Sequence, residues 1–373
     1  MGNSCISEVS IQDYAQRLRY NKAKERVPLA GTFELTFRCN NRCAHCYNNR
    51  GAHDRREKEK ELTHSQVCRI LDTVAEAGCL LLLFTGGEPL IREDFPEIYA
   101  YAKGKGFLTT LFTNGTLIDR EMADFLREWP PRSIEITLYG MSQGVYEKVT
   151  RVPGSHAKCM RAIELLVERN LPLKLKAMIF TLNRHELDDM KAFARDLGLE
   201  FRYDPLLNLR IDGGANPGRF RLPPAEVVQM DLDDKGRRSE LMELYERFTK
   251  ADRKSEAIFT CGAGTNSFHI NPHGLMHICG MVRNPGYDLI NGSFREGWDI
   301  FFPAVRARRR KGDDPCRHCN LHVLCGQCPG WSQLEHGDVE KPVEYLCQVG
   351  RLRGEQLAIE DGYEKPVQTE VKG

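Results

Sequence analysis

Between residues 32 and 203 the chain alternates short apolar runs with amphipathic ones, and this rhythm constrains the fold more than any other feature. The apolar runs are TFELTF (32–37), CLLLLFT (79–85), FLTTLF (107–112), SIEITL (133–138), LKLKAMIF (173–180) and LEFRY (199–203). CLLLLFT is unbroken, as in a strand buried on both faces. LTHSQVCRILDTVAEAG reads as an intervening helix. Thr63 and Gln66 make a capping box, Val67, Ile70, Leu71 and Val74 form one apolar face, and Gly78 stops it. AKCMRAIELLVERN has the same character. Strands alternating with helices pair in parallel, which implies an α/β barrel or open sheet. Six units are too few for a complete eight-fold barrel.

After Tyr203 the rhythm breaks. DPLLNLRIDGGANPGRFRLPP reads as a long loop able to cover a site, and a helical stretch follows over about 224–251. From Ile258 onward turn residues and cysteines dominate. A region so poor in apolar runs needs metal to organise it. Beyond residue 351 lies a charged tail, helical or frayed.

The 53 basic and 52 acidic side chains leave a net charge of +1, so no field draws in nucleic acid or an anionic membrane. The dense basic run RARRRK, Arg306 to Lys311, reads as a solvated helix end, with a docking patch for an acidic peptide as the alternative. No apolar segment reaches membrane-spanning length, and MGNSCISEVS lacks a signal-peptide layout, so a cytoplasmic location is expected. Fourteen cysteines in that reducing compartment point to metal rather than disulfides, and ten of them sit in tight groups. Cys79 and Cys159 read as small apolar core residues; Cys5 and Cys68 have no partner spacing.

Cys39, Cys43 and Cys46 follow the first strand with spacing C-x3-C-x2-C. A structural zinc site needs a fourth ligand, and His45 is too close to Cys46 to reach the same ion. In an iron–sulfur cube, three thiolates hold three irons and leave the fourth open for an external chelator. This loop resembles that of the radical S-adenosylmethionine (SAM) enzymes. The resemblance implies a partial (β/α)6 barrel of the TIM type, with a [4Fe–4S] cluster whose open iron is chelated by the amino and carboxylate groups of SAM. Reductive cleavage would give methionine and a 5′-deoxyadenosyl radical that abstracts hydrogen from substrate. FTGGEP, Phe84 to Pro89, resembles the family's motif for the SAM amine. Gly86 and Gly87 would allow close backbone approach, and Glu88 would supply a carboxylate. His45 would stack on the adenine, with Tyr47 beside it. Asn114 in TNG and Thr137 in TLYG would lie near SAM at strand ends. An arginine for the SAM carboxylate has no clean counterpart; Thr150 or Arg151 is nearest.

The remaining seven grouped cysteines resemble the SPASM extension of such enzymes: Cys261, Cys279, Cys316, Cys319, Cys325, Cys328 and Cys347. Within this stretch SFHINPHGLMHIC reads as a hairpin turning at NPHG. By resemblance, Cys316, Cys319, Cys325 and Cys347 hold one auxiliary cluster, and Cys261, Cys279 and Cys328 the other, for three [4Fe–4S] clusters in all. The second auxiliary cluster is a ligand short, with substrate, water, His269 or Asp288 as candidates. The spacing at 325–328 is C-x2-C where the family often has C-x3-C. Paired zinc sites are the alternative metal reading.

The expected division is an N-terminal extension (1–31), the barrel (32–206), loop and linker helix (207–257), a SPASM domain (258–350) and a tail (351–373). The expected function is radical oxidation or cross-linking of a ribosomally made peptide. Small-molecule substrates (tetrapyrrole decarboxylation, sugar oxidation) and a non-catalytic iron–sulfur electron carrier are the alternatives. Sulfatase maturation is disfavoured, because relatives of that kind place an aspartate base where Gly280 stands. About thirty residues precede the first strand, too few for a leader-binding domain. The expected partners are therefore a peptide or protein substrate, a flavodoxin- or ferredoxin-type reductant, and a separate leader-binding carrier protein.

Overall fold

The computed structural model describes residues 26–48, 50–249, 256–312, 315–317, 319 and 321–360; Cys5 lies outside them. Six strands run in parallel and in chain order: β1 (Ala30–Thr36), β2 (Leu81–Gly86), β3 (Leu108–Thr113), β4 (Ser133–Thr137), β5 (Leu173–Met178) and β6 (Glu200–Asp204). Between them lie helices α1 (His64–Glu76), α2 (Phe95–Gly104), α3 (Arg120–Glu128), α4 (Gln143–Thr150), α5 (Ser155–Glu168) and α6 (Leu187–Asp196). The strands therefore form the expected partial (β/α)6 barrel.

Helix α1 forms as its sequence dictates. Thr63 accepts from the Gln66 N–H while the Gln66 side chain accepts from the Thr63 N–H. Val67, Ile70, Leu71 and Val74 are its buried face. Along β3 and β5 burial alternates strictly, so one face packs on the helices and the other faces the barrel lumen. CLLLLFT departs from its expectation for this reason. Leu82 and Phe84 are buried, but Leu81, Leu83 and Thr85 are only partly so. An unclosed barrel leaves its inner face open as a cleft. Cys79 and Cys159 are core residues, as expected.

The later region extends this sheet. Strands β7 (Ser267–Ile270) and β8 (Leu275–His277) pair antiparallel across the NPHG turn, and β9 (Tyr287–Asp288) pairs antiparallel with β8. At its tip Gly274 has φ +79, a conformation that favours glycine. Strand β7 then pairs in parallel with β1, giving a nine-stranded order β9-β8-β7-β1-β2-β3-β4-β5-β6.

The linker is two helices, α7 (Pro224–Asp233) and α8 (Lys235–Thr249). They part at Asp234, whose carboxylate accepts from the N–H groups of Gly236 and Arg237. Last come α9 (Pro329–His336) and α10 (Glu344–Glu360). The charged tail is docked as far as α10 runs, because Arg353 is buried in an ion pair with Asp231 of α7 at 2.6 Å. In the basic run Arg308, Arg309 and Lys311 are exposed beyond a helix end, as expected, but Arg306 is engaged. Arg306 donates to the carbonyls of Phe259 (3.2 Å), Cys261 (2.9 Å) and Ala263, and so braces the loop carrying Cys261.

Candidate functional site

A cleft of about 850 Å³ occupies the lumen at the C-terminal ends of the strands. Cys39, Cys43 and Cys46 all line it. Their loop is held by two backbone bonds to the end of α4, from Arg42 N–H to the Thr150 carbonyl and from Ala44 N–H to the Val149 carbonyl, each 2.9 Å. The long loop after β6 covers the other side. Its Ile211 N–H donates to the Tyr47 carbonyl (2.9 Å), and Leu206, Leu207, Asn208 and Ile211 line the cleft.

The cysteine trio suits a sulfur-ligated cluster. Burial pushes the Cys39 thiol up to about 12 and the Cys43 thiol well above its ordinary value, with Glu88 and Cys46 adding to the first and Cys46 and Cys39 to the second. Three thiolates so placed require a compensating metal charge. N–H groups of the kind that surround cluster sulfurs are in place: Asn41 and Asn48 donate to the Cys39 and Cys46 sulfurs at 3.4 Å, and the Asn114 amide to Cys39 at 3.7 Å.

Gly86 and Gly87 line the cleft, and their missing side chains are filled by the chain itself. A Cβ at Gly86 would fall 2.2 Å from the Thr36 carbonyl oxygen and one at Gly87 2.3 Å from that of Arg38. Gly87 and Glu88 donate their N–H groups to these same two carbonyls, so the GGEP turn is clamped to the backbone entering the cysteine loop. Asn114, Thr137, His45 and Tyr47 also line the cleft. His45 packs on Phe180 (4.5 Å between centroids) and Tyr139 (5.3 Å), and burial lowers its pKa to about 4.

Two expected SAM residues stand elsewhere. Glu88 is fully buried beneath the cleft, and its carboxylate accepts from Leu90 N–H, the Thr113 hydroxyl (2.8 Å) and Asn114 N–H (2.7 Å). Burial raises its pKa to about 7. As placed, it positions Asn114. Arg151 is the left-handed cap of α4 (φ 57), exposed and outside the cleft, and Thr150 is buried against Ser155.

The cleft holds residues that the motifs did not announce. Glu34 on β1 is buried and accepts from Arg283 (2.7 and 3.1 Å) and Tyr47 (3.2 Å), with His269 Nε2 at 3.0 Å. These partners hold its carboxyl well below the usual range despite burial. A lone acid at an inward position of TFELTF was the available signal. Lys176 on β5 and Arg202 on β6 line the opposite wall.

From Cys46 the cleft reaches the loop after Cys279, where Gly280, Met281 and Arg283 line it. Burial raises the Cys328 pKa and the nearby sulfurs of Cys279 and Cys261 raise it further, and Cys325 is raised by burial and then by Cys347 and Cys319, so each set of thiols lies close together. Of the candidates for the missing ligand, His269 is turned to Glu34, while Asp288 accepts from Ile290 N–H and the Asn291 amide.

A parallel partial barrel that gathers a thiol trio and a Gly-Gly turn at its strand ends is the architecture of an iron–sulfur enzyme that binds SAM. Residues 33–197 match the Radical SAM superfamily and form a domain of that superfamily, which implies a [4Fe–4S] cluster and SAM. The chain is 28% identical to a PqqA peptide cyclase of Bradyrhizobium diazoefficiens, over 80% of each chain. It is 24% identical to an AdoMet-dependent heme synthase of Methanosarcina barkeri, over 85% of this chain and 95% of that one. Its fold is similar to that of Streptococcus suis SuiB bound to precursor peptide SuiA, with a TM-score of 0.67 at 16% identity, covering 93% of this chain and 84% of that one. Among the described residues no helix is long and apolar enough to cross a membrane.

Proposed function

We propose that this protein is a radical SAM peptide maturase that oxidises or cross-links a ribosomally made peptide. The observation that carries the reading is a single cleft running from Cys39, Cys43 and Cys46 to the loop after Cys279. The peptide cyclase among its relatives supports the substrate class. When bound together, cluster and SAM supply a one-electron cleavage of the sulfonium that yields a carbon radical able to take hydrogen from a substrate.

The chain's own residues prepare that chemistry. Cys39, Cys43 and Cys46 hold three irons and leave the fourth for SAM. Gly86, Gly87, Asn114 and Thr137 offer backbone and side-chain polar groups along the strand ends. Tyr139, Phe180 and the loop carrying Leu206 and Ile211 exclude water, which keeps a radical from side reactions. The two thiol groupings of the later region hold auxiliary [4Fe–4S] clusters: Cys261, Cys279 and Cys328 in one, Cys316, Cys319, Cys325 and Cys347 in the other. Clusters bound there would supply an acceptor for the second electron of an oxidation. A flavodoxin- or ferredoxin-type protein supplies the reducing electron, and a separate carrier protein presents the peptide leader.

The test is anaerobic reconstitution with iron and sulfide, then SAM and dithionite. We expect 5′-deoxyadenosine, and, with a short peptide substrate, loss of two hydrogens per bond formed by mass spectrometry. The heme synthase relative favours tetrapyrrole decarboxylation as the second reading. Unchanged peptides together with loss of carbon dioxide from an iron coproporphyrin would transfer the assignment to it. Full clusters with no 5′-deoxyadenosine would leave only an electron carrier.

A further inference from the structure

Three inward residues stand side by side on the wall facing Glu34: Thr137 on β4 is paired in register with Lys176 on β5, and Lys176 with Arg202 on β6. All three line the cleft. The Lys176 side chain is only 18% exposed. An ammonium offers three donors, yet among the described residues no oxygen accepts a hydrogen bond from it. Its Nζ stands over the Phe112 ring, and the carboxylate in reach, Glu135 Oε2, is 3.8 Å away. That same oxygen already accepts from Arg202. Two cations thus share one carboxylate, and the more buried of them lacks an acceptor.

A desolvated ammonium without acceptors is unfavourable, and burial accordingly lowers the Lys176 pKa well below its ordinary value. The natural remedy is an anion entering the cleft. Among Lys176, Arg202 and Glu135 the surplus is one positive charge, which a monoanion cancels, and a carboxylate has two oxygens with which to meet Lys176 and Arg202 together. We propose that Lys176 and Arg202 form a binding subsite for a ligand carboxylate. Two ligands of the proposed reaction can bring one: SAM itself, for which Arg151 is out of place, or an acidic group of the substrate. The SAM source rests on the functional reading above; the subsite does not.

The experiment measures ligand binding to the reconstituted holoenzyme and to its K176M and K176R variants, by equilibrium dialysis for SAM and decarboxylated SAM. Saturation-transfer NMR gives the same comparison for glutarate and glutaramide. Methionine keeps the length of the side chain and drops the charge, and a melting temperature at or above wild type confirms folding. If SAM brings the carboxylate, K176M weakens SAM by ~10-fold or more, K176R retains it, and decarboxylated SAM is unaffected. If the substrate brings it, SAM affinity is unchanged and K176M abolishes the preference for glutarate over glutaramide. Affinities for all four ligands that are equal in wild type and K176M overturn the subsite. A wild-type holoenzyme that binds no SAM sinks the functional reading instead, and the glutarate comparison still decides the subsite.

Discussion

The barrel and the cysteine-rich region after residue 258 hold themselves together by different means. Each strand–helix unit of the barrel buries apolar side chains against the next, and one continuous core results. The hairpin of the later region joins that core through Phe268, Ile270 and Met276. Beyond residue 315 the supply thins: Trp331, Val343 and Leu346 form a small cluster of their own, and five cysteines, of which Cys325 is buried and Cys319 exposed, lie in the same stretch. The barrel encodes its fold in periodicity; on the proposed reading, cysteine spacing takes over part of that role beyond residue 315.

Removing iron is the widest test of that contrast. Anaerobic chelation of the holoenzyme should open the segment around residues 316–347 to protease while the barrel keeps its far-UV circular dichroism. Cys39→Ala should reduce 5′-deoxyadenosine to background with that protease pattern unchanged. Equal collapse of both regions on chelation would erase the distinction.

The reciprocal test strikes the apolar core. Phe84 is fully buried on β2, and Phe84→Ala should cost about 3–5 kcal/mol in denaturant unfolding. The cysteine-rich region should fall with it, because β7 leans on β1, which pairs with β2. Iron content retained after barrel unfolding would show the later region to be independent.

Glu34 joins the two regions, since Arg283 and His269 reach it from the later one. Glu34→Gln leaves the Arg283 charge without its carboxylate and should cost about 3 kcal/mol. The sign with pH follows from a carboxyl whose folded pKa is depressed. Its stabilisation is present above the ordinary value of 4.5 and is lost as pH falls from there toward the folded value. The wild type should therefore lose stability in acid over that window more steeply than the glutamine variant. Parallel acid curves would remove Glu34 from the account.

Much of this was legible in the sequence, for identifiable reasons. Strands and helices declared themselves by period, and the cysteine loops by spacing. What stayed hidden depends on neighbours distant in sequence. Glu34 could be seen as a lone acid in a strand, but Arg283 lies 249 positions away. Glu88 invited a ligand role by its motif, and only the fold turns it toward Thr113 and Asn114. Arg151 followed a helix at a plausible distance, and its left-handed backbone leaves it on the surface. CLLLLFT suggested burial on both faces because an unbroken apolar run does not distinguish the positions that face the open cleft from those that face the helices.

The smallest test asks how local the barrel's instructions are. Thr63 is exposed; its hydroxyl and N–H make the reciprocal bonds with Gln66, its hydroxyl touches Ser65, and its carbonyl accepts from Val67 N–H in the first turn of α1. Thr63→Ala removes the acceptor for the Gln66 N–H and should cost about 1 kcal/mol, with Thr63→Ser restoring it. Because α1 is built from one short run of sequence, the cost should appear wholly in barrel stability, leaving iron content and SAM affinity alone. A change in either would mean that the end of α1 is coupled to the cysteine loop through Leu62, whose carbonyl accepts from Arg92 at 3.0 Å. In that case the division between a barrel made by periodicity and a region made by thiols would hold for folding but not for function.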